Sequence, residues 1–137
     1  MKTGRLTFTL VALGVVAAAC SGGEDADVTV TLRDDGIALS NSSPEAGSLT
    51  FEGVNEGTAT HEFEVFEVPE GVDADALPVE DGVAAADEML TVLDEVEDIA
   101  PGTTARLTID LEPGTYAVLC NLPGHYGAGM HTTFTVA

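Results

Sequence analysis

The alternation of apolar and polar residues is the feature of this sequence that most restricts its fold. From residue 28 onward apolar residues recur with a period of two, as in Val28, Val30 and Leu32 against Thr29 and Thr31. That period places every second side chain on one face of a β-strand. Turn signals such as Asp-Asp-Gly, Asn-Glu-Gly and two Pro-Gly pairs separate the runs. The pattern predicts an all-β chain, a Greek-key β-sandwich or barrel of about seven to eight strands.

One long stretch, residues 69–100, interrupts this pattern because it is rich in acids and poor in strand signals. Residues 83–90 are compatible with a short helix that directs Met89 into the core. Leu90 and Val92 would equally fit the start of an extended segment, and periodicity does not decide between the two. We interpret the stretch as a long acidic connection with at most a short helix of one or two turns.

The first 19 residues have the pattern of an export signal. Lys2 and Arg5 precede an apolar run, residues 6–19, that is too short for a typical transmembrane helix. Three alanines then lead to Cys20, which resembles a bacterial lipoprotein signal with a lipidated cysteine. The position three before the cysteine, where Leu is usual, holds Ala17. A plain secretory signal cleaved in the same alanine run is therefore the alternative.

These observations predict the organisation and location of the chain. Residues 1–19 are expected to be a signal peptide of the lipoprotein type, residues 20–26 a tether, and residues 27–137 a single folded domain. The mature protein is expected to be exported. A lipid on Cys20 would hold it at the periplasmic or extracellular face of the cell membrane.

The charge balance is strongly acidic, because 24 Asp and Glu residues oppose four Lys and Arg residues for a formal net charge of −20. Signal cleavage would leave Arg33 and Arg106 as the remaining Lys or Arg residues. Such a domain is a poor partner for nucleic acid or for an anionic membrane face. The acids either attract a basic protein partner or act as a general solvation device, and their spread along the chain favours the second interpretation.

The two cysteines, Cys20 and Cys120, first suggest a disulfide, as an even count does in an exported protein. A lipid on Cys20 would exclude that bond. Cys120 would then be a lone thiol in an oxidising compartment, where a bound metal is the usual reason to keep one.

Four side chains of the sequence form a plausible copper ligand set. Cys120, His125 and Met130 are separated from one another by four intervening residues in an uncharged loop with Pro and Gly, and His61 begins a distant strand. Alternate residues of a strand face the same side, and we call this alternation strand parity. It directs His61, Cys120 and Met130 inward. His131 then points outward and is interpreted as exposed and not a ligand. Two imidazoles and a thiolate with a weak axial thioether form a blue-copper electron-transfer site. The side chains would meet at one pole of the sandwich.

Over residues 28–136 the sequence resembles the cupredoxins, the type 1 copper proteins. The specific part of the resemblance is NEGTATHEF at residues 55–63, PGTY at residues 113–116 and the loop CNLPGHYGAGM at residues 120–130. The spacing within that loop is similar to that of rusticyanin, auracyanin and sulfocyanin. The resemblance implies a cupredoxin domain over residues 27–137.

The resemblance also implies the roles of the site residues. His61, Cys120 and His125 would be the equatorial ligands and Met130 the axial ligand of one copper ion per chain. The implied function is a one-electron carrier outside the cytoplasm. A periplasmic copper storage or delivery protein with the same fold is the alternative. No catalytic residues are expected, because four protein ligands leave no open position for a substrate.

Two further expectations concern the surroundings of the site. Azurin has Asn directly after its first ligand histidine, whereas this chain has Glu62, so either Glu62 or Asn121 is expected to tie the two ligand loops together. The chain is expected to be a monomer that meets redox protein partners, basic ones among them, at the uncharged loop around His125. The alternative interpretation is that this loop is uncharged only to shield the copper from water.

Overall fold

The structure is a computed structural model that describes residues 25–137. The predicted signal peptide, Cys20 and most of the predicted tether lie outside the described residues. None of the helices within residues 25–137 has the length and apolar character needed to cross a membrane.

The described part of the chain consists of short strands and one helical turn. In order they are β1 (Val28–Arg33), β2 (Gly36–Leu39), β3 (Gly47–Asn55), β4 (His61–Glu67), β5 (Val79–Glu80), β6 (Val83–Ala84), α1 (Ala86–Met89), β7 (Thr91–Ile99), β8 (Thr104–Leu111), β9 (Gly114–Leu119) and β10 (His131–Val136).

Two four-stranded sheets form the body of the domain, with strand orders β2-β1-β3-β8 and β10-β9-β4-β7. Strands β1 and β3 run parallel, and the other neighbours within both sheets run antiparallel. Strands β5 and β6 form a separate hairpin. The predicted all-β sandwich is confirmed.

Alternating side chains of both sheets build one core. In β1 the side chains of Val28, Val30 and Leu32 are fully buried, while Thr29 and Thr31 are partly exposed, as the period-two pattern predicts. Each such apolar side chain stabilises the fold by about 1.5–3 kcal/mol through removal from water. The larger members of this core from the rest of the domain are Phe51, Phe63, Val65, Tyr116, Val118, Met130 and Phe134.

A second apolar cluster covers the outer face of the sheet that contains β4 and β9. Its members are Phe66, Ala74, Leu77, Ala84, Ala86, Leu90, Ala117, Leu119 and Tyr126. The cluster holds the β5–β6 hairpin beside the loop between β9 and β10, where the Gly124 amide donates a hydrogen bond to the Gly82 carbonyl at 2.8 Å.

The interpretation of residues 69–100 as a connection with at most a short helix is wrong in two places. Residues 79–84 form the β5–β6 hairpin, and β7 is a nine-residue strand paired antiparallel with β4. The alternative of an extended segment near Leu90 and Val92 is confirmed, because β7 begins at Thr91. Most of its side chains are exposed and many are acidic, so it shows no alternation; its pairing with β4 defines it. Charges on such an edge strand also oppose edge-to-edge association.

The expected short helix is the single turn α1. Its Met89 is 37% exposed, so the prediction that Met89 packs into the core is wrong, and Ala86 is buried instead.

Candidate metal centre

Three of the predicted ligands meet at one end of the sandwich. His61 is the first residue of β4, Cys120 directly follows β9, and His125 lies in the loop between β9 and β10. The Nδ1 atoms of His61 and His125 are 3.1 Å apart, and the Cys120 sulfur is 3.3 Å from His125 Nδ1. Within residues 25–137 this is the one group of three or more His, Cys, Asp or Glu side chains whose ligand atoms all lie within 4.8 Å of one another.

The chemistry of this group fits copper. His61 and Cys120 are fully buried and His125 is partly exposed, so water has little access to the donor atoms. Thiolate suits Cu(I), and imidazole suits both copper states. The two facing Nδ1 atoms and the sulfur require either a shared proton or a cation between them, and a metal ion satisfies all three at once.

The environment of Cys120 opposes a free thiolate. Burial raises the pKa of the Cys120 thiol, and backbone hydrogen bonds from Glu62 and Leu122 to the sulfur only partly counter that effect. Burial and the neighbouring His61 lower the pKa of His125, which favours the neutral imidazole that a metal ligand requires. A bound cation would stabilise the thiolate that burial disfavours.

The ligand loop is held in a closed ring by its own backbone. The Cys120 amide donates to the Met130 carbonyl at 3.0 Å, and the Met130 amide donates to the His125 carbonyl at 3.1 Å. Gly129 has a φ of 112°, and a Cβ atom there would lie 2.6 Å from the Asp35 carbonyl oxygen. Glycine is therefore required where the loop returns toward β10.

Met130 is fully buried and belongs to the same core cluster as Cys120, as its inward parity predicts. Its role as the axial ligand stays a prediction, as do the equatorial roles of the other three residues. His131 lies outside the group. Its Nδ1 atom is 2.8 Å from Asp75 Oδ1 and its ring stacks on Tyr126 with centroids 4.3 Å apart. With 22% of its side chain exposed, His131 is less exposed than predicted.

Glu62 joins the two ligand loops. The backbone amide of Asn121 donates to Glu62 Oε1 at 3.3 Å, which links the residue after Cys120 to the residue after His61. The Asn121 side chain is used elsewhere: it accepts from the Ala84 amide at 2.8 Å and donates to the Ala84 carbonyl at 3.0 Å. Asn121 therefore ties the ligand loop to the β5–β6 hairpin.

Asn55 is a site residue that the sequence reasoning missed. It is buried and donates to the carbonyls of Ala59 and Ile99, both at 2.8 Å, while its Oδ1 accepts from the Gly57 amide at 2.8 Å. These bonds shape the loop that delivers His61. The sequence did contain a signal for this role, because Asn55 is a polar residue at a position where the alternation of β3 predicts an inward-facing side chain.

Asp34, in the turn between β1 and β2, is the second missed residue. Its Oδ1 lies 2.9 Å from His61 Nε2. This nitrogen is on the side of the ring away from Nδ1, the atom that faces His125. Hydrogen bonds from the Thr58 hydroxyl, the Thr58 amide and the Ala59 amide hold the pKa of Asp34 well below its usual range. An Asp in a turn is common, so no pattern in the sequence pointed to this contact.

Comparison with known proteins agrees with this site. The family model of the copper binding proteins, plastocyanin/azurin family, matches residues 45–137, a range that contains all four predicted ligands. No curated protein matches the chain by sequence.

Solved structures share the fold at low sequence identity. Auracyanin from Roseiflexus castenholzii is 23% identical with a TM-score of 0.54, and the match covers 82% of this chain and 99% of that one. Auracyanin A from Chloroflexus aurantiacus is 19% identical with a TM-score of 0.52, covering 80% and 98%. Rusticyanin from Thiobacillus ferrooxidans is 16% identical with a TM-score of 0.56, covering 80% and 75%. With the family model matching most of the sequence, the chain belongs to the copper-binding proteins of the plastocyanin/azurin family, the cupredoxins.

Proposed function

We propose that this protein carries single electrons outside the cytoplasm with one type 1 copper ion. His61, Cys120 and His125 would hold the ion, with Met130 as a weak axial ligand. The observation that carries the proposal is the convergence of the two imidazole nitrogens and the buried sulfur within 4.8 Å. Copper in such a ligand set supplies one-electron chemistry by alternating between Cu(II) and Cu(I).

The residues around the site support electron transfer with little rearrangement. The donors lie on strand ends or on a loop closed by backbone hydrogen bonds, so their positions are set before a metal arrives. The backbone hydrogen bonds from Glu62 and Leu122 spread the negative charge of the Cys120 sulfur. The burial of His61 and Cys120 keeps water from the donors.

We propose that the protein acts as an electron carrier and not as an enzyme. A catalytic metal site keeps one position open for a substrate or water, and four protein donors fill that position. Copper storage or delivery remains the competing proposal, because it would use the same fold. The two differ in the state of the metal: a carrier binds both Cu(II) and Cu(I), whereas a delivery protein strongly prefers Cu(I).

A titration with Cu(II), followed by visible spectroscopy and redox cycling, tests this function. We expect one ion per chain, an intense thiolate-to-copper band and a reversible one-electron couple. Cys120→Ser should abolish the band, and Cys20→Ser, the matched control, should leave it intact. A colourless Cu(II) complex would contradict the type 1 assignment. Tight Cu(I) binding without a reversible couple would favour delivery.

We also propose that electrons enter or leave through the loop around His125. The exposed residues of that loop carry no charge; they are Pro123, Gly124, Gly127 and Ala128. The adjoining β5–β6 hairpin supplies the exposed acids Glu80 and Asp81. An uncharged contact beside a rim of acids suits a basic redox partner, because rim charges steer its approach without being buried. The protein would act as a monomer in such an exchange.

The location is proposed from the sequence alone. The signal-like residues 1–19 and Cys20 suggest export and a lipid anchor at the outer face of the cell membrane. Membrane fractionation of the parent and of Cys20→Ser tests this proposal. Release of the variant, but not of the parent, into the soluble fraction is expected. An equal distribution of both would indicate a plain secretory signal.

A further inference from the structure

The contact between Asp34 and His61 joins a half-exposed carboxylate to a fully buried imidazole. Asp34 Oδ1 lies 2.9 Å from His61 Nε2, and the side chains are 44% and 0% exposed, respectively. An ionised carboxylate only accepts hydrogen bonds, so Nε2 must carry the proton. The proton on Nε2 leaves the Nδ1 lone pair of His61 directed toward His125, where the metal would lie.

The Asp34 carboxylate is held by three hydrogen-bond donors of one loop. The Thr58 amide lies 3.0 Å from both of its oxygens, the Thr58 hydroxyl donates to Oδ2 at 2.7 Å, and the Ala59 amide lies 3.2 Å from Oδ1. These donors belong to the loop that precedes His61 in the chain. The carboxylate therefore cannot rotate away from the imidazole without breaking bonds to that loop.

Gly57 leaves the space that this contact occupies. A Cβ atom at position 57 would overlap Asp34 Oδ1 and would lie 2.7 Å from His61 Nε2. The Gly57 amide is itself held by Asn55 Oδ1 at 2.8 Å, so the backbone cannot easily withdraw. The absence of a side chain at this position is consistent with a loop built around the carboxylate–imidazole pair.

We propose that Asp34 is a positioning residue that fixes His61 in its Nδ1-donating tautomer and lowers the reduction potential of the copper. A carboxylate that accepts a hydrogen bond from Nε2–H increases the electron density of the imidazole and makes Nδ1 a stronger donor. A stronger, harder donor favours Cu(II) over Cu(I). The part of this inference that concerns potential rests on the proposed copper function; the part that concerns the tautomer does not.

The test compares Asp34→Asn with Asp35→Asn. Both variants remove one negative charge from the same turn, but only Asp34 contacts His61. We expect Asp34→Asn to reduce the preference for Cu(II) over Cu(I) by about tenfold, which is about 59 mV upward for a one-electron couple. Asp35→Asn should produce a much smaller shift. Equal shifts in the two variants would overturn the inference while leaving the copper function intact.

A second measurement addresses the tautomer without copper. Nitrogen-15 NMR of the metal-free protein should show His61 protonated at Nε2 with a slowly exchanging proton. Exchange should become faster in Asp34→Asn and stay unchanged in Asp35→Asn. A His61 protonated at Nδ1 alone would overturn the inference.

Thr58→Val separates the effect of loop stability from the effect of the Asp34–His61 contact on the potential. It removes the hydroxyl bond to Asp34 Oδ2 and leaves the Asp34–His61 contact in place. It should lower stability with little change in potential.

Discussion

The Nδ1 atoms of His61 and His125 lie 3.1 Å apart, a separation that either a shared proton or a bound metal ion can bridge. The Cys120 sulfur lies 3.3 Å from the same His125 atom. The sandwich thus holds three metal-donor atoms close together at one end of the fold. A cation that binds these donors in the folded state and not in the unfolded state stabilises the fold.

A redox-inert metal should therefore stabilise the protein. With Zn(II) at a thousandfold excess over its dissociation constant, we expect about 4 kcal/mol of added stability. That corresponds to a melting temperature roughly 10–20 °C higher, measurable by calorimetry. Cys120→Ser should lose most of this gain, because a serine oxygen is a poor replacement for the thiolate. An unchanged melting temperature in the parent would contradict a preformed metal site.

The axial role of Met130 predicts opposite potential shifts in two variants. Met130→Gln supplies a harder oxygen donor and should lower the reduction potential, whereas Met130→Leu removes the donor and should raise it. Each shift should be on the order of tenfold in relative affinity, about 59 mV, by voltammetry. His131→Ala is the control, because that imidazole bonds Asp75 instead. The same potential in all Met130 variants would place the thioether outside the coordination sphere.

Asn55 should be important for stability, because it satisfies three backbone groups in a buried position. Asn55→Ala leaves the Ala59 and Ile99 carbonyls and the Gly57 amide without their partner. We expect a loss of about 2–4 kcal/mol in denaturant unfolding. Asn41→Ala is the matched control: its Oδ1 accepts a single exposed bond, from the Ser43 amide. That variant should lose less than about 1 kcal/mol. Equal losses in the two variants would refute the assigned role.

Glu64 should make stability depend on pH. Burial, followed by the charge of Glu62, raises the pKa of Glu64 from 4.5 to about 8. The folded state then binds the proton more tightly than the unfolded state, so this contribution is fully present below about pH 4.5 and is lost as pH rises through about 8. The loss should be on the order of 1–3 kcal/mol.

Glu64→Gln isolates that contribution, because its amide imitates the protonated acid and does not titrate. The variant should match the parent at pH 4 and exceed it in stability at pH 8, as measured by urea unfolding of the metal-free protein. Glu67→Gln, at the exposed end of the same strand, is the control. Its free energy of unfolding should differ from that of the parent by the same amount at pH 4 and pH 8. A constant difference between Glu64→Gln and the parent at all pH values would contradict the assignment.

Strand parity was a good guide to the site because its residues lie on or beside regular strands. His61 opens β4, Cys120 follows β9 and Met130 precedes β10, so their inward direction follows from Phe63, Val118 and similar neighbours. Their chemistry then identified copper without any knowledge of distances. The inner faces of the two sheets were predictable for the same reason.

The features that parity missed depend on contacts between distant segments. Asp34 reaches His61 only because β1 and β3 run side by side and bring the Asp34 turn to the loop after β3. Strand β7 has acids on both faces, and its extended form depends on pairing with β4. Met89 lies on a single turn whose buried position is taken by Ala86. Short-range patterns contain no information about such tertiary choices.

The route of the electron can be tested at Ala128, an exposed residue of the uncharged loop. Leu122 is a weaker probe, because it packs against the core and its replacement would disturb the fold. Ala128→Asp places a charge where a partner must lose water, so electron exchange with a basic c-type cytochrome, and self-exchange, should slow by about tenfold. Ala38→Asp, exposed on β2, adds the same charge elsewhere and should change both rates little. The visible spectrum and potential should stay nearly constant in both variants. If Ala128→Asp exchanges electrons at the parent rate in stopped-flow and NMR line-broadening measurements, the loop is a shield against water and the electron leaves through another surface.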